Sequence, residues 1–148
     1  MEVRKAGGRL IIRLDAGDEI VASLKKACRE LPAHYAHFSG IGACRSAEIS
    51  HFDTKEKRYS TRKFGGMLEI VSLCGNITSV DNEPFVHAHI ALGLPDFSVL
   101  GGHLVSAEIS PACEIILEQV PLAVGRKQDA ESGLKLQSFQ FPRMARLD

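Results

Sequence analysis

Three histidines are the residues of this chain whose types and spacing best suit chemistry. His87 and His89 stand two residues apart, and His103 follows a pair of glycines. Because alternate side chains of a strand share a face, a strand at this point would direct both imidazoles of the first pair the same way. Imidazole nitrogen suits zinc, copper, iron and nickel, and three protein ligands with an open fourth position are typical of a reactive zinc.

The same pattern has a simpler interpretation. Two half-buried histidines on a strand often do no more than hydrogen-bond to their neighbours. The segment 94–97, Leu-Pro-Asp-Phe, has the residues of a turn, and a hairpin there would return His103 to the first two histidines. From the residues alone, both interpretations stay open.

The register of this hairpin decides whether the three imidazoles converge. A four-residue loop over 94–97 with regular pairing would place His103 opposite Ala88, and therefore on the wrong face. A metal site requires His103 to oppose an odd-numbered residue such as His89. This needs a loop of odd length, or a bulge at Gly101-Gly102, and we expect these glycines to be either bulged or closely approached by another backbone.

A hydrolytic metal site also needs an acid or base near the metal. Glu69 is the first candidate, because a carboxylate within so apolar a segment is unusual unless it has a function. Glu108 and Glu114 are further acids in predicted strands. The alternative role of Glu69 is to pair with a backbone amide, an arginine or a histidine N–H. The remaining histidines are predicted to be ordinary hydrogen-bonding residues: His34, His37 and His51.

The composition of the chain limits the classes of protein to which it can belong. The chain has 148 residues and equal numbers of basic and acidic side chains, 18 each, so its formal net charge is zero. We expect a single domain over residues 1–148 and no tight nonspecific binding to DNA. No secretory h-region or long apolar stretch is present, which predicts a cytoplasmic protein without a membrane partner. The four cysteines, which have no CxxC spacing, are predicted to be reduced core residues: Cys28, Cys44, Cys74 and Cys113.

Hydrophobic periodicity predicts an α+β fold with a largely antiparallel sheet and one principal helix. The helix has Asp18 and Glu19 in its first turn, carries apolar residues at helical spacing from Ile20 to Leu31, and stops at Pro32. The predicted strands are 9–14, 33–38, 47–53, 59–64, 67–78, 85–92, 98–109, 114–120 and, in the tail, 134–139, with a glycine-rich bend at 39–43. One helix cannot cover both faces of such a sheet, so we expect the chain to self-associate.

Four segments in order resemble the PPC ("plants and prokaryotes conserved") domain. They are 38–43 (FSGIGA), 66–77 (GMLEIVSLCGNI), 84–89 (PFVHAH) and 101–104 (GGHL). The resemblance implies an α+β fold assembled as a homotrimer, with zinc bound by His87, His89 and His103. Plant relatives join this domain to a DNA-binding AT-hook and recruit transcription factors. This chain has no Arg-Gly-Arg-Pro segment, and Met67 stands where the plant recruitment segment has an arginine.

The function expected from the resemblance is a stand-alone, homotrimeric, zinc-binding PPC protein with a DNA-associated or regulatory role. Its expected partners are other copies of the chain and DNA or a transcription-related protein. The alternative from a different class is a metal-dependent, hydrolase-like enzyme, in which zinc on three imidazoles lowers the pKa of bound water to about 7.

Overall fold

The computed structural model describes residues 1–29 and 35–139. In chain order the elements are β1 (Glu2–Ala6), β2 (Arg9–Asp15), α1 (Ile20–Arg29), β3 (Tyr35–Asp53), β4 (Arg58–Val80), β5 (Glu83–Gly93), β6 (Val99–Val120), β7 (Gly125–Gln128) and β8 (Lys135–Ser138). Among the described residues no helix is long and apolar enough to span a membrane.

The strands form one eight-stranded sheet in the order β1-β2-β6-β3-β4-β7-β8, and β5 pairs with both β4 and β6. The pairs are antiparallel except β4 with β7. Strands β3, β4, β5 and β6 pair in succession, and β6 then pairs back with β3, so the predicted meander closes on itself. The predicted α+β class, largely antiparallel with a single helix in the described part of the chain, is confirmed.

One face of the sheet carries the hydrophobic core. In β2 the buried side chains alternate strictly with exposed ones, as expected of a strand with one wet face. Leu10, Ile12 and Leu14 lie inward there, and Phe38 of β3 joins them in the same cluster. Helix α1 adds its apolar stripe to this core and packs against β5 and β6. The opposite face of the sheet is not covered by the helix.

The start of α1 is held by Glu19, which is predicted to lie in the first turn but precedes the helix. Its carboxylate accepts hydrogen bonds from the backbone N–H groups of Val21 at 3.0 Å and Ala22 at 2.7 Å. These N–H groups have no partner inside the helix, so the side chain satisfies donors of the first turn. The same carboxylate accepts from the N–H of Ala107 at 3.2 Å, which fixes the helix start to β6.

The predicted bend at 39–43 is wrong, because β3 runs through it as a strand with a shift of register between Gly40 and Gly42. The glycines serve a close approach of two backbones instead. A Cβ on Gly40 would lie 2.7 Å from the carbonyl oxygen of Glu114, and one on Gly42 would lie 2.4 Å from that of Ala112. Glycine here lets β3 lie against β6 without ending either strand.

Other predicted strand ends also fall inside longer strands. The gap between 64 and 67 lies within β4, and the gap between 109 and 114 lies within β6. Two short strands, β1 and β7, were not predicted, because both are short polar segments without an apolar period. The predicted tail strand is present as β8. The predicted helix end at Pro32, and His34, lie outside the described residues.

Candidate metal centre

The hairpin of β5 and β6 brings the three predicted histidines onto one face. His89 lies directly opposite His103, and Gly93 opposite Val99. The connecting loop is therefore residues 94–98, one residue longer than the predicted turn and odd in length. Directly opposed residues of an antiparallel pair share a face, and His87 shares it because it lies two residues from His89. The predicted register, with His103 opposite His89, is confirmed.

Hydrogen bonds within the loop fix this length. The N–H of Leu94 donates to the carbonyl oxygen of Ser98 at 2.9 Å, and the carboxylate of Asp96 accepts from the N–H and hydroxyl of Ser98 at 3.0 and 2.6 Å. Phe97 takes a positive φ of 65°. The resulting odd-numbered loop gives the register that the histidines require.

The glycine pair before His103 is closely approached by neighbouring backbone, as predicted. A Cβ on Gly101 would lie 2.6 Å from the carbonyl oxygen of Ile90, and one on Gly102 would lie 2.8 Å from that of Ser50. The β5–β6 pairing continues through both glycines without a shift of register. The glycines and the histidine therefore have a joint explanation, because β6 lies in close contact with β3 and β5 where it carries His103.

The three imidazoles form a compact donor set. One ring nitrogen of each lies within 4.8 Å of those of the other two. The ring centroids are 5.3 to 5.6 Å apart, and none of the rings is stacked in parallel. Tetrahedral zinc with ligands at 2.0–2.1 Å requires nitrogens about 3.3–3.4 Å apart. Small side-chain rotations close the difference, so the residues fit a zinc-class ion.

The surroundings keep two of these imidazoles neutral. Burial lowers the pKa of His87 to about 4, helped by the positive charge of Arg126 and by the neighbouring imidazoles. Burial also lowers the pKa of His103, again with contributions from His89 and Arg126. A neutral imidazole offers the nitrogen lone pair that a metal needs, so neither ring has to lose a proton near neutral pH to become a ligand.

Arg126 of β7 lies beside the histidines and was missed by the sequence analysis. Its Nε donates to the hydroxyl of Thr78 at 2.9 Å and its Nη2 donates to the side-chain oxygen of Asn76 at 2.9 Å. Its guanidinium carbon lies 4.7 Å from the centre of the Phe85 ring. The segment Gly-Arg-Lys-Gln gave no signal, since one arginine in a polar stretch resembles any solvated surface residue.

Cys74 also belongs to this face, which corrects the prediction that all four cysteines lie in the core. Cys28, Cys44 and Cys113 are buried, but Cys74 is exposed. The reason is the register, because Cys74 lies opposite His89 and so points to the histidine side of the sheet. Burial raises the pKa of the other three thiols, to about 11 for Cys44 and about 12 for Cys28 and Cys113.

The structure places the other candidate residues away from the cluster. Glu69 is exposed and lies opposite Gly93, four residues beyond His89 on β5, which corresponds to roughly 13 Å along the strand. Glu108 forms an ion pair with Arg45 that lowers its carboxyl pKa. His37 lies 4.0 Å from the carboxylate of Glu118, and the remaining two residues, Glu114 and His51, are exposed on β6 and β3.

The chain is similar to several proteins of known structure. No curated protein matches the chain. A metal-containing protein from Archaeoglobus fulgidus is 40% identical with a TM-score of 0.82, and the match covers 93% of this chain and 95% of that one. A candidate DNA-binding protein from Bacteroides thetaiotaomicron is 31% identical with a TM-score of 0.90, covering 95% and 98%.

Two further matches bear on the family. A plant- and prokaryote-conserved (PPC) protein from Pyrococcus horikoshii is 33% identical with a TM-score of 0.81, and the match covers 93% of each chain. The family model of the Plants and Prokaryotes Conserved (PCC) domain matches residues 1–121, which include all three histidines of the cluster. The chain therefore belongs to the Plants and Prokaryotes Conserved domain family, as the resemblance of its sequence indicated.

Proposed function

We propose that this PCC-domain protein binds a zinc ion through His87, His89 and His103. The observation that carries the proposal is the convergence of three imidazole nitrogens to within 4.8 Å. Two of the rings are half-buried, and their lowered pKa values favour the neutral, ligating form. The name of the Archaeoglobus relative, a metal-containing protein, supports the same assignment.

Elemental analysis of the purified protein tests this proposal. We expect about one zinc-class ion per chain, and His87→Ala is expected to abolish uptake because two imidazoles hold zinc weakly. His51→Ala, which removes an exposed histidine from β3, is the matched control and is expected to keep the metal. A protein that is metal-free and takes up no added zinc, with all three histidines intact, would end the proposal.

We also propose that the protein works as a homotrimer. Four large apolar side chains on the side of the sheet away from the core are between 46% and 60% exposed: Ile11, Ile41, Val71 and Ile116. Ile11 and Ile116 lie directly opposite each other on β2 and β6, so they form a continuous patch. A second copy covering this face would remove the patch from water, and closed symmetry is the usual form of such assemblies.

The proposed role is DNA-associated or regulatory, in common with what the name of the Bacteroides relative suggests for that protein. A zero net charge argues against tight nonspecific binding to DNA, whereas a protein that neutralises several phosphates loses affinity steeply as salt rises. A gel-shift series with duplex DNA at rising salt measures this. No shift at low salt would overturn the proposed association with DNA.

A second candidate function is a metal-dependent hydrolase. The observation that favours it is the number of histidine ligands, because three imidazoles leave one position of tetrahedral zinc for water or substrate. Glu69, the acid or base expected from the sequence, lies roughly 13 Å from His89 along β5, so Glu69→Gln is expected to leave any hydrolytic activity unchanged. A turnover screen of zinc-loaded protein with ester and phosphoester substrates separates this function from simple binding.

A further inference from the structure

Arg126 carries a positive charge that no described carboxylate balances. The side chain is half-buried, and its three hydrogen bonds go to neutral acceptors. These are the hydroxyl of Thr78, the side-chain oxygen of Asn76 and the carbonyl oxygen of Lys135. Buried charges in folded proteins are usually paired, because desolvating an unpaired charge costs free energy.

The guanidinium lies next to the histidine cluster. Asn76, which accepts from Nη2 at 2.9 Å, is the cross-strand partner of His87, and such partners have Cβ atoms about 4.5–5.5 Å apart. Phe85, whose ring lies under the guanidinium, is two residues from His87 on the same face. Arg126 is therefore a direct neighbour of the proposed metal position.

The donor geometry leaves room for a ligand. Arginine has five N–H groups, and three of them are donated to described residues. One hydrogen on Nη1 and one on Nη2 have no acceptor in the described part of the chain. Adding a divalent cation to the three neutral imidazoles would place further positive charge beside Arg126. An anion that contacts both would offset this repulsion.

We propose that Arg126 and the metal position together form a binding site for a small molecule that carries a carboxylate or phosphate group. One anionic oxygen takes the metal position left open by the three histidines, and another accepts a hydrogen bond from Arg126. This inference rests on the proposed metal site. Arg126 lies beyond residues 1–121, the part of the chain that the family model matches. The proposed site therefore combines three histidines from the matched part with an arginine that follows it.

A purely structural role is the alternative. Arg126 ties β7 and β8 to β4, since it joins Lys135 to Asn76 and Thr78. In that case removing the guanidinium would loosen the whole site, and the affinities for metal and for anion would fall together. Our proposal predicts opposite changes, because the guanidinium repels the metal and attracts the anion.

Cobalt-loaded protein provides the test, since the visible absorption of tetrahedral cobalt changes when an anion takes the fourth position. Acetate and inorganic phosphate are titrated into wild-type protein, Arg126→Gln and the control Lys127→Gln, whose exposed side chain lies next along β7. We expect Arg126→Gln to lose anion affinity about tenfold to a hundredfold. Without anion, its metal affinity is expected to rise several-fold. Lys127→Gln should change both by less than about twofold.

The outcomes separate this inference from the metal site on which it rests. Metal content is measured first, and a wild-type protein without metal would overturn both. Normal metal uptake with unchanged anion affinity in Arg126→Gln would overturn the anion site alone, as would a joint fall of both affinities. If Arg126→Gln does not fold, Arg126→Lys, which keeps the charge, is expected to keep the metal affinity and lose part of the anion affinity. Binding of duplex DNA is measured in the same variants. If DNA binds more tightly than phosphate and the same variants lose it, the ligand is nucleic acid and the proposed small-molecule ligand is wrong.

Discussion

Gly75 shows how a single residue shapes the candidate site. It lies on β4 between Cys74 and Asn76, opposite Ala88. A Cβ at this position would lie 2.2 Å from the carbonyl oxygen of His87 and 2.7 Å from the ring of Phe38. Both distances are far below van der Waals contact, and the first involves backbone that cannot move without disturbing His87.

Gly75→Ala is therefore expected to destabilise the protein by about 1–3 kcal/mol or more, because the strand carrying His87 must shift. The matched control is Gly65→Ala on the same strand, where a Cβ would meet nothing within 4 Å. That variant is expected to stay within about 0.5 kcal/mol of wild type. Urea unfolding measures both, and equal stability of the two variants would contradict the packing at Gly75.

At the scale of elements, the hairpin loop decides which face His103 occupies. Residues 94–98 connect Gly93 to its partner Val99, and from this pair the register runs evenly to His89 and His103. A strand alternates faces at every residue, so a change of one residue in the loop reverses the side of every following side chain until a bulge corrects it.

Deleting Pro95 shortens the loop to four residues, and regular pairing would then turn His103 to the core face. We expect this variant to lose metal binding, measured as metal content after dialysis against zinc. Pro95→Ala keeps the loop length and is expected to keep the metal. If the deletion variant folds and still binds one ion per chain, loop length does not set the register.

In the whole molecule as far as residues 1–29 and 35–139 show it, the sheet leaves one face without a covering layer. The helix packs on β5 and β6, and the side of β2 and β6 away from the core shows Ile11 and Ile116 at 46% and 51% exposure. Charged residues flank the pair on β2, with Arg9 opposite Glu118 and Arg13 opposite Glu114. An apolar centre with a polar rim is typical of an interface between subunits.

We expect light scattering to give a trimer at micromolar concentration. Ile116→Lys is expected to shift the protein toward monomer, because a buried lysine without a partner destabilises the interface. Leu122→Lys changes a residue of similar exposure outside the strands and serves as the control. A wild-type monomer, or a trimer that Ile116→Lys leaves intact, would contradict the proposed interface.

Local sequence patterns are enough to predict the fold class and the three histidines of the candidate site. Strong alternation in β2 and the amphipathic period of α1 are local signals, so they survive in any environment that supplies a core. The two-residue separation of His87 and His89, which places both on one face of a strand, is equally local. A site that joins His103 to this pair requires an odd loop or a bulge, since a strand residue can occupy only one of two faces.

The residues that surround the histidines, in contrast, follow from the pairing of distant strands. The glycines in β3 suggested a bend, but β3 continues, because the close approach of β6 uses their missing side chains. Cys74 looked like a core residue until pairing with β5 placed it opposite His89. Arg126 reaches His87 from β7, 39 positions later in the chain, through a single parallel contact with β4. Contacts of this range depend on where strands pair, and no local pattern encodes them.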